Sequence, residues 1–147
     1  MTTVEIRQFQ DRDLTDLMAS WEAASRVAHS FMSEAFFDHE RHNIPNVYIP
    51  NTDTWVAVVD DKVLGFIALI GNEVGGIFLD PGQHGKGLGK ALMDKAQELH
   101  GDLVVDVLKE NAIGRRFYER YGFRFVEEKT LALTGDPILR LAFTARN

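Results

Sequence analysis

The stretch LDPGQHGKGLGKAL, from Leu79 to Leu92, joins an apolar run to a helix-like pattern through a loop with alternating glycines. Gly85, Gly87 and Gly89 carry no Cβ, so backbone N–H groups can approach one another closely there. Apolar residues then recur at three- and four-residue spacing, which predicts an amphipathic helix. Because a helix N-terminus presents unpaired N–H donors and a partial positive charge, the stretch predicts a binding site for phosphate.

Two common glycine-rich phosphate loops do not match this stretch. A P-loop begun at Gly82 reaches Gly87, but Leu88 then stands where a lysine is required. The dinucleotide-binding pattern G-x-G-x-x-G, begun at Gly85, has Lys90 in its last position. The spacing therefore disfavours both ligand classes, although a nucleotide-binding protein with an unusual loop stays open.

Length and composition fit one globular domain, over residues 1–147, with a sizeable core. The chain has no cysteine, which excludes disulfides, a thiolate nucleophile and cysteine-ligated metals. A formal net charge of −6 disfavours a general nucleic-acid binder. We see neither a segment like a signal peptide nor an apolar run of about 20 residues, so we expect a cytoplasmic protein without a membrane partner.

Hydrophobic patterning predicts the element order β, α, α, β, β, β, α, β, α, β, β. Asp60-Asp61 and Gly71-Asn72 are turn signals between three apolar runs, which predicts a three-stranded meander. The segment NIPNVYIPNTD, from Asn43 to Asp53, contains two prolines and is predicted to be an irregular loop. The order indicates an α/β fold with a mixed sheet and helices on its faces.

Two motifs and this element order resemble the GCN5-related N-acetyltransferase (GNAT) superfamily. LDPGQHGKGLGKALM resembles that family's acetyl-CoA pyrophosphate loop, commonly written Q/R-x-x-G-x-G/A. NAIGRRFYERYGF, from Asn111 to Phe123, resembles its later N-x-x-A-x-x-F-Y-x-x-x-G-F segment. The resemblance covers roughly residues 54 to 128. It implies the GNAT-like acyl-CoA N-acyltransferase fold, a predominantly antiparallel seven-stranded sheet with helices on both faces.

The sequence departs from the family pattern at two positions. His84 occupies the place where the family usually has Gln or Arg, and Gln83 lies one residue early. Most phosphate contacts in such a loop would come from backbone N–H groups, so we still expect it to bind acetyl-CoA. Gly114 stands where alanine is more usual, which should cost about 1 kcal/mol of helix propensity and change no chemistry.

The resemblance implies that the pantetheine arm of acetyl-CoA pairs with the fourth strand, where the fourth and fifth strands separate. The doublet Gly75-Gly76 in that strand is typical of a bulge or of close approach by a ligand, with a plain hairpin end as the alternative. N–H groups of the strand can also stabilise an oxyanion. The residues expected to bind acetyl-CoA are Ile77, Phe78, Leu79, His84, Gly85, Lys86, Gly87, Leu88, Gly89, Lys90, Asn111 and Phe117.

Acetyl transfer to an amine needs a base for the ammonium and an acid for the leaving thiolate. Tyr118 matches the family's tyrosine near the CoA sulfur, and a phenol with a pKa of about 10 is a proton donor at neutral pH. A structural aromatic cluster with Phe117 and Tyr121 is the alternative. Glu73 matches a glutamate that some family members carry on the fourth strand, which makes it the candidate base. A water chain, with Glu73 as an ordinary strand end, is the alternative.

Other polar residues have two interpretations. Asn111 matches a family residue that bonds the pantetheine arm, and a helix N-cap explains it equally well. His29 falls in the region that lines the family's acceptor pocket, but ordinary packing is favoured. His39 and His42 are three residues apart with no obvious third ligand, so we expect no metal site. Basic side chains that either pair with the CoA phosphates or are merely solvated are Arg115, Arg116 and Arg120.

The expected function is an acetyl-CoA-dependent N-acetyltransferase that acts on a primary amine by direct attack in a ternary complex. The lack of cysteine excludes a cysteinyl acetyl-enzyme intermediate. The alternative is a catalytically silent acyl-CoA-binding sensor or regulatory module of the same fold. No motif names the acceptor, which is a small-molecule amine or a peptide or protein amine, and a homodimer is compatible with the family.

Overall fold

The computed structural model describes residues 4–146, and its elements follow the predicted order. The strands are β1 (Val4–Gln8), β2 (Asp53–Val59), β3 (Lys62–Ile70), β4 (Glu73–Leu79), β5 (Leu103–Leu108), β6 (Arg124–Thr130) and β7 (Pro137–Phe143). The helices are α1 (Leu14–Ala28), α2 (Glu34–Asn43), α3 (Leu88–His100) and α4 (Ala112–Tyr121). The extension of one domain over residues 1–147 stays a prediction, and residues 1–3 and 147 lie outside the described part.

The seven strands form one sheet in the order β1-β2-β3-β4-β5-β7-β6. Every neighbouring pair is antiparallel except β4 and β5, which are parallel. The predicted meander of β2, β3 and β4 is confirmed. Its first turn has positive φ at Asp60 (49°) and Asp61 (70°), the backbone twist that suits a two-residue hairpin turn. The predicted mixed, mostly antiparallel sheet is therefore confirmed.

Helices cover both faces of this sheet, as the resemblance implied. On one face, Leu92 and Met93 of α3 are fully buried within one apolar cluster. On the other face, Leu17 and Trp21 of α1 and Phe37 of α2 are buried within a second cluster. Each such side chain stabilises the fold by about 1.5–3 kcal/mol relative to exposure. Within residues 4–146, no helix is long and apolar enough to cross a bilayer.

The sheet is weakly joined at its middle. Strands β4 and β5 pair at only two positions, Glu73 with Val104 and Val74 with Val105. The remainder of β4 pairs with β3 alone, so its other edge is open. This separation creates the space in which a ligand can lie between the two strands.

The glycine doublet in β4 forms a bulge. Ala68 of β3 pairs with Gly76 and Leu69 pairs with Val74, so Gly75 has no partner in the register. A residue left over on one strand bends that strand and disrupts the ladder locally. The bulge lies directly after the last pair that joins β4 to β5, and it accompanies the divergence of the two strands.

The prediction of an irregular loop between Asn43 and Asp53 is wrong. The segment forms a π-helical turn over Ile44–Tyr48 and a 3₁₀ turn over Ile49–Asn51. Pro45 and Pro50 each lie at the second position of their helical piece, and both pieces continue α2 without a break, so neither proline interrupts the helical backbone. The two prolines therefore lie within helical backbone and do not mark irregular structure.

Candidate active site

A cavity of about 630 Å³ lies among β4, the loop after it, and helices α1, α3 and α4. Its size is within the range of small-molecule binding sites. It brings together twelve of the residues predicted from sequence, and only Glu73 and Lys86 are not part of its lining. The predicted residues that line it are Ile77, Phe78, Leu79, His84, Gly85, Gly87, Leu88, Gly89, Lys90, Asn111, Phe117 and Tyr118.

The glycine loop has the conformation that its sequence requires. Gly85 (φ 80°) and Gly87 (φ 84°) lie in the left-handed region, which side chains other than glycine rarely adopt. A Cβ at either position would meet no atom within 4 Å, so backbone conformation, not lack of space, accounts for glycine there. The loop then turns directly into the first residues of α3.

The N-terminus of α3 faces the cavity with unused donors. Its first hydrogen bond runs from the N–H of Ala91 to the carbonyl of Gly87 (3.0 Å). The N–H groups of Leu88, Gly89 and Lys90 precede that bond and have no intrahelical acceptor. The first turn contains no acidic residue to compete for them. These donors and the helix dipole fit a diphosphate.

The open edge of β4 supplies further donors. The N–H of Asp80 donates to the carbonyl of Leu64 in β3 (2.9 Å). Since N–H groups alternate in direction along a strand, the N–H of Phe78 also points to β3. Those of Ile77 and Leu79 then point toward the gap beside β5. Of the three predicted amide donors, Ile77 and Leu79 have the required direction, and Phe78 contributes its ring to the cavity wall.

Tyr118 lies on α4 with its ring packed and its hydroxyl unused. The side chain is 6% exposed, and it lines the cavity. Its ring contacts Phe117 and Phe123 edge to face, with centroid distances of 5.5 Å in both pairs. Among the described residues its hydroxyl has no hydrogen-bond partner. Burial raises the pKa of Tyr118 above its ordinary value, so the phenol is protonated at neutral pH.

Asn111 caps α4 and also lines the cavity. The helix cap is therefore present, and the side chain also lies where a pantetheine arm could contact it. Its Oδ1 accepts a hydrogen bond from the N–H of Gly114 (2.9 Å). Its Nδ2 lies 3.3 Å from Nε2 of His29, at the end of α1. Asn111 is only 8% exposed, and this contact links the end of α1 to the start of α4 at the cavity wall.

The expectation that Gly114 affects only helix propensity is wrong. A Cβ at this position would lie 2.5 Å from Nδ2 of Asn111 and 3.2 Å from its Oδ1. Alanine would therefore displace the carboxamide from the position it has here. Gly114 provides the space in which Asn111 folds back over the first turn of α4, and nothing in the local sequence pattern indicated this contact.

Glu73 lies away from the cavity. Its Oε1 accepts a hydrogen bond from Nη2 of Arg140 (3.3 Å), and Nε of Arg140 donates to Asp106 (3.1 Å). The carboxylate thus belongs to an ion-pair cluster that spans β4, β5 and β7. Its role as general base stays a prediction, and this position gives that role no support.

Lys86 lines a neighbouring depression instead of the main cavity. That depression also contains Lys62 and Gln83. Gln83 borders both spaces, so the glutamine that lies one residue early in the motif still reaches the main cavity, beside His84. The side-chain contact made by glutamine or arginine in the family therefore has two candidates in this chain.

Several lining residues were missed from the sequence. Apart from Gln83, they lie on α1, at its C-terminal end, or on α4. Helical periodicity was the main signal there, and it cannot distinguish a face that packs in the core from one that borders a cavity. His29 was expected to pack, and it both packs and lines the cavity. The residues missed or left undecided are Ala24, Ala28, His29, Gln83, Ile113, Gly114, Arg116 and Arg120.

The two histidines of the DHERH segment lie on α2, outside the cavity lining. The ring of His39 contacts the side-chain amide of Asn43, with a shortest distance of 3.0 Å. Within residues 4–146, no group of three His, Asp or Glu side chains is placed to hold a metal ion.

We expect acidification to destabilise the fold through His29. Burial lowers its pKa in the folded state to about 4, below its ordinary value of 6.5. Between these pH values the unfolded chain binds a proton that the folded chain does not, so the free energy of unfolding falls as the pH falls. The expected loss between pH 7 and pH 4.5 is about 2 kcal/mol, after discounting for partial exposure.

Urea denaturation at the two pH values tests this expectation against a His29→Phe variant. Between the two pH values, the free energy of unfolding should fall by about 2 kcal/mol less in the variant, because it has no imidazole to protonate at position 29. Protonation of the carboxylates affects both proteins equally. Equal losses in both proteins would show that His29 binds its proton normally in the folded state.

Comparisons with known proteins place this geometry in a family. A model of the acetyltransferase (GNAT) domain matches residues 50–125, which include β4, the glycine loop, α3 and α4. Over 135 residues the chain is 30% identical to Peptidyl-lysine N-acetyltransferase YjaB of Salmonella typhimurium, covering 91% of this chain and 92% of that protein.

Two solved structures share the fold. The solution structure of apo-form YjaB from Escherichia coli has a TM-score of 0.87 at 26% identity, covering 98% of this chain and 99% of that one. The crystal structure of the PaiA N-acetyltransferase from Thermoplasma acidophilum in complex with coenzyme A has a TM-score of 0.77 at 21% identity, covering 94% and 98%. The chain therefore belongs to the GNAT acetyltransferase family, and its activity is N-acetyl transfer from acetyl-CoA.

Proposed function

We propose that the chain transfers the acetyl group of acetyl-CoA to the side-chain amine of a lysine in a peptide or protein. The observation that carries the proposal is one cavity bordered by the N-terminus of α3, the open edge of β4 and the hydroxyl-bearing Tyr118. The name of the Salmonella typhimurium relative, a peptidyl-lysine N-acetyltransferase, supports lysine as the acceptor class.

The chain's own groups can hold acetyl-CoA along its diphosphate and its pantetheine arm. The N–H groups of Leu88 and Gly89 bind the diphosphate, and the exposed guanidinium of Arg116 at the cavity wall adds positive charge. The backbone of Ile77 and Leu79 pairs with the amide groups of the pantetheine arm. Together these contacts direct the thioester toward α1 and the acceptor.

The transfer forms one C–N bond and breaks one C–S bond. The acceptor enters as an ammonium, loses one proton before attack and a second as the amide forms, and the departing sulfur takes up one. Backbone N–H groups of β4 stabilise the negative charge that develops on the acetyl oxygen. The net products are the N-acetylated amine, the free thiol and one released proton.

Tyr118 acts on the departing sulfur. Its phenol donates a hydrogen bond there, and this bond strengthens as negative charge develops on the sulfur. Because its pKa lies above that of an ordinary thiol, a fully formed tyrosinate would be unfavourable. A proton that Tyr118 gives to the sulfur is therefore replaced by one of the two that the amine loses.

The base that accepts the first proton is proposed to be water. The described residues that line the cavity include no carboxylate, and Glu73 is paired with Arg140 outside it. Because no carboxylate of residues 4–146 lines the cavity, a chain of water molecules is the better candidate for the route of the proton. Such a chain carries the proton of the ammonium to bulk solvent before attack.

Calorimetry with acetyl-CoA, followed by thiol release with an amine panel, tests the proposed function. The panel contains a lysine peptide, the same peptide with lysine replaced by arginine, a polyamine and a free amino acid. We expect acetyl-CoA to bind, the lysine peptide alone to release thiol rapidly, and mass spectrometry to locate the acetyl group on lysine Nζ.

Each other result excludes part of the proposal. Absence of acetyl-CoA binding excludes the cofactor site. Binding without thiol release from any amine indicates the silent acyl-CoA-binding module. Thiol release with the polyamine or the free amino acid alone excludes peptidyl lysine as the acceptor but is consistent with acetyltransferase activity. A cytoplasmic location, a homodimer and the lack of a nucleic-acid or membrane partner stay predictions.

A further inference from the structure

The two ends of the Asn111 side chain are distinguishable. The N–H of Gly114 is a donor, so the atom that it contacts at 2.9 Å must be the carbonyl oxygen of the carboxamide. The other end, 3.3 Å from Nε2 of His29, is then the NH₂ group, which can only donate. For this contact to be a hydrogen bond, Nε2 of His29 must accept it, which requires the ring proton to be on Nδ1.

The imidazole is held in the orientation that this contact needs. Its ring packs edge to face against Phe31, Phe36 and Phe78, with centroid distances of 6.2, 6.3 and 6.4 Å. The backbone is fixed as well, because the N–H of His29 donates to Ser25 (2.8 Å) and its carbonyl accepts from Met32 (2.9 Å). The apolar rings favour a neutral imidazole, which keeps a lone pair on Nε2.

Gly114 completes the arrangement from the other side. A Cβ there would lie 2.5 Å from Nδ2 of Asn111, so glycine leaves the carboxamide free to take the position it has here, in contact with both its cap and the imidazole. An amide NH₂ group carries two hydrogens in one plane. Once the first is directed at His29, the direction of the second is fixed.

We infer that His29 is a positioning residue of the acetyl-CoA site, which holds the Asn111 carboxamide so that its second N–H donates to a carbonyl of the pantetheine arm. This inference rests on the proposed function. His29 does not touch the reacting atoms in this role. It acts through Asn111, and it joins the end of α1 to the first turn of α4 at the wall of the cavity.

The first test reads the tautomer directly. Long-range ¹H–¹⁵N correlation spectra of ¹⁵N-labelled protein distinguish a protonated ring nitrogen from an unprotonated one. We expect His29 to carry its proton on Nδ1. In an Asn111→Asp variant the carboxylate keeps the helix cap but can only accept, so the proton should move to Nε2. An Nε2–H tautomer in the unmodified protein, or an unchanged tautomer in the variant, would overturn the inference.

The second test measures acetyl-CoA binding by calorimetry. His29→Phe keeps a ring of similar size but removes the acceptor, and it should weaken binding by roughly fivefold. His39→Phe makes the same chemical change on the exposed face of α2 and is the matched control, with unchanged affinity. In an Asn111→Ala background, His29→Phe should have no further effect on binding.

The outcomes separate the inference from the proposed function. If the unmodified protein fails to bind acetyl-CoA, the proposed function fails, and the inference fails with it. If it binds and His29→Phe matches His39→Phe, the inference alone fails. If His29→Phe weakens binding equally with and without Asn111, the ring only packs. Should His29→Phe not fold, His29→Gln, which offers an acceptor oxygen, is expected to retain the affinity, and its loss would overturn the inference.

Discussion

Replacing Tyr118 by phenylalanine is expected to lower kcat by about 100-fold while the Kd for acetyl-CoA stays within about twofold. The phenol is the one hydroxyl that borders the cavity on α4, and it has no hydrogen-bond partner among the described residues. Its removal leaves the packed ring in place but deprives the departing sulfur of a donor. Thiol release under saturating acetyl-CoA measures kcat, and calorimetry measures Kd.

Tyr121→Phe is the matched control for this prediction. The hydroxyl of Tyr121 donates to Asp94 (2.6 Å) and accepts from Gln97 (2.9 Å), both on α3. Its loss should lower stability modestly and leave kcat unchanged. An unchanged kcat in Tyr118→Phe would restrict Tyr118 to the aromatic cluster and remove it from the mechanism.

Gly65→Ala is expected to lower the free energy of unfolding by about 2–3 kcal/mol. A Cβ on Gly65 in β3 would lie 2.9 Å from the carbonyl oxygen of Phe78, and it would also clash with Cδ2 of Leu79. Because the first of these atoms belongs to the backbone, β4 itself must move. Urea denaturation measures the loss, and acetyl-CoA affinity should fall with it, since the displaced segment carries the cavity edge.

Gly75→Ala provides the comparison within the same sheet. A Cβ there would make only ordinary contacts, 3.4 Å from the carbonyl of Ala68 and 3.6 Å from Ile70. We expect a change within about 0.5 kcal/mol. Equal losses in the two variants would show that the contact with β4 is not what requires glycine at position 65.

Features that depend on neighbouring residues were predictable from the sequence. The positive φ values at Asp60 and Asp61 follow from a two-residue hairpin between apolar runs. Gly85 and Gly87 adopt left-handed backbone conformations. Alternating glycines predicted a phosphate-binding loop, and such a loop needs these conformations to present its N–H groups. The order of strands and helices follows from periodicity in the same local way.

Features that depend on distant partners were not predictable. The contact between Asn111 and His29 joins residues 82 positions apart, and no periodicity encodes it. Glu73 matches a glutamate that some family members carry on the fourth strand, yet its partner is Arg140, 67 positions away. Which end and which face of β4 a side chain occupies depends on strand register and on the bulge, and these are properties of the assembled sheet.

Because only two residue pairs connect β4 with β5, the sheet consists of a four-stranded part and a three-stranded part with few shared backbone hydrogen bonds. Bending fluctuations should concentrate at that seam, where least hydrogen bonding resists them. An extended pantetheine arm beside β4 would occupy the place of a missing strand. The coenzyme would then act as a structural component of the fold as well as a reactant, and the stiffness of the sheet would rise and fall with each catalytic cycle.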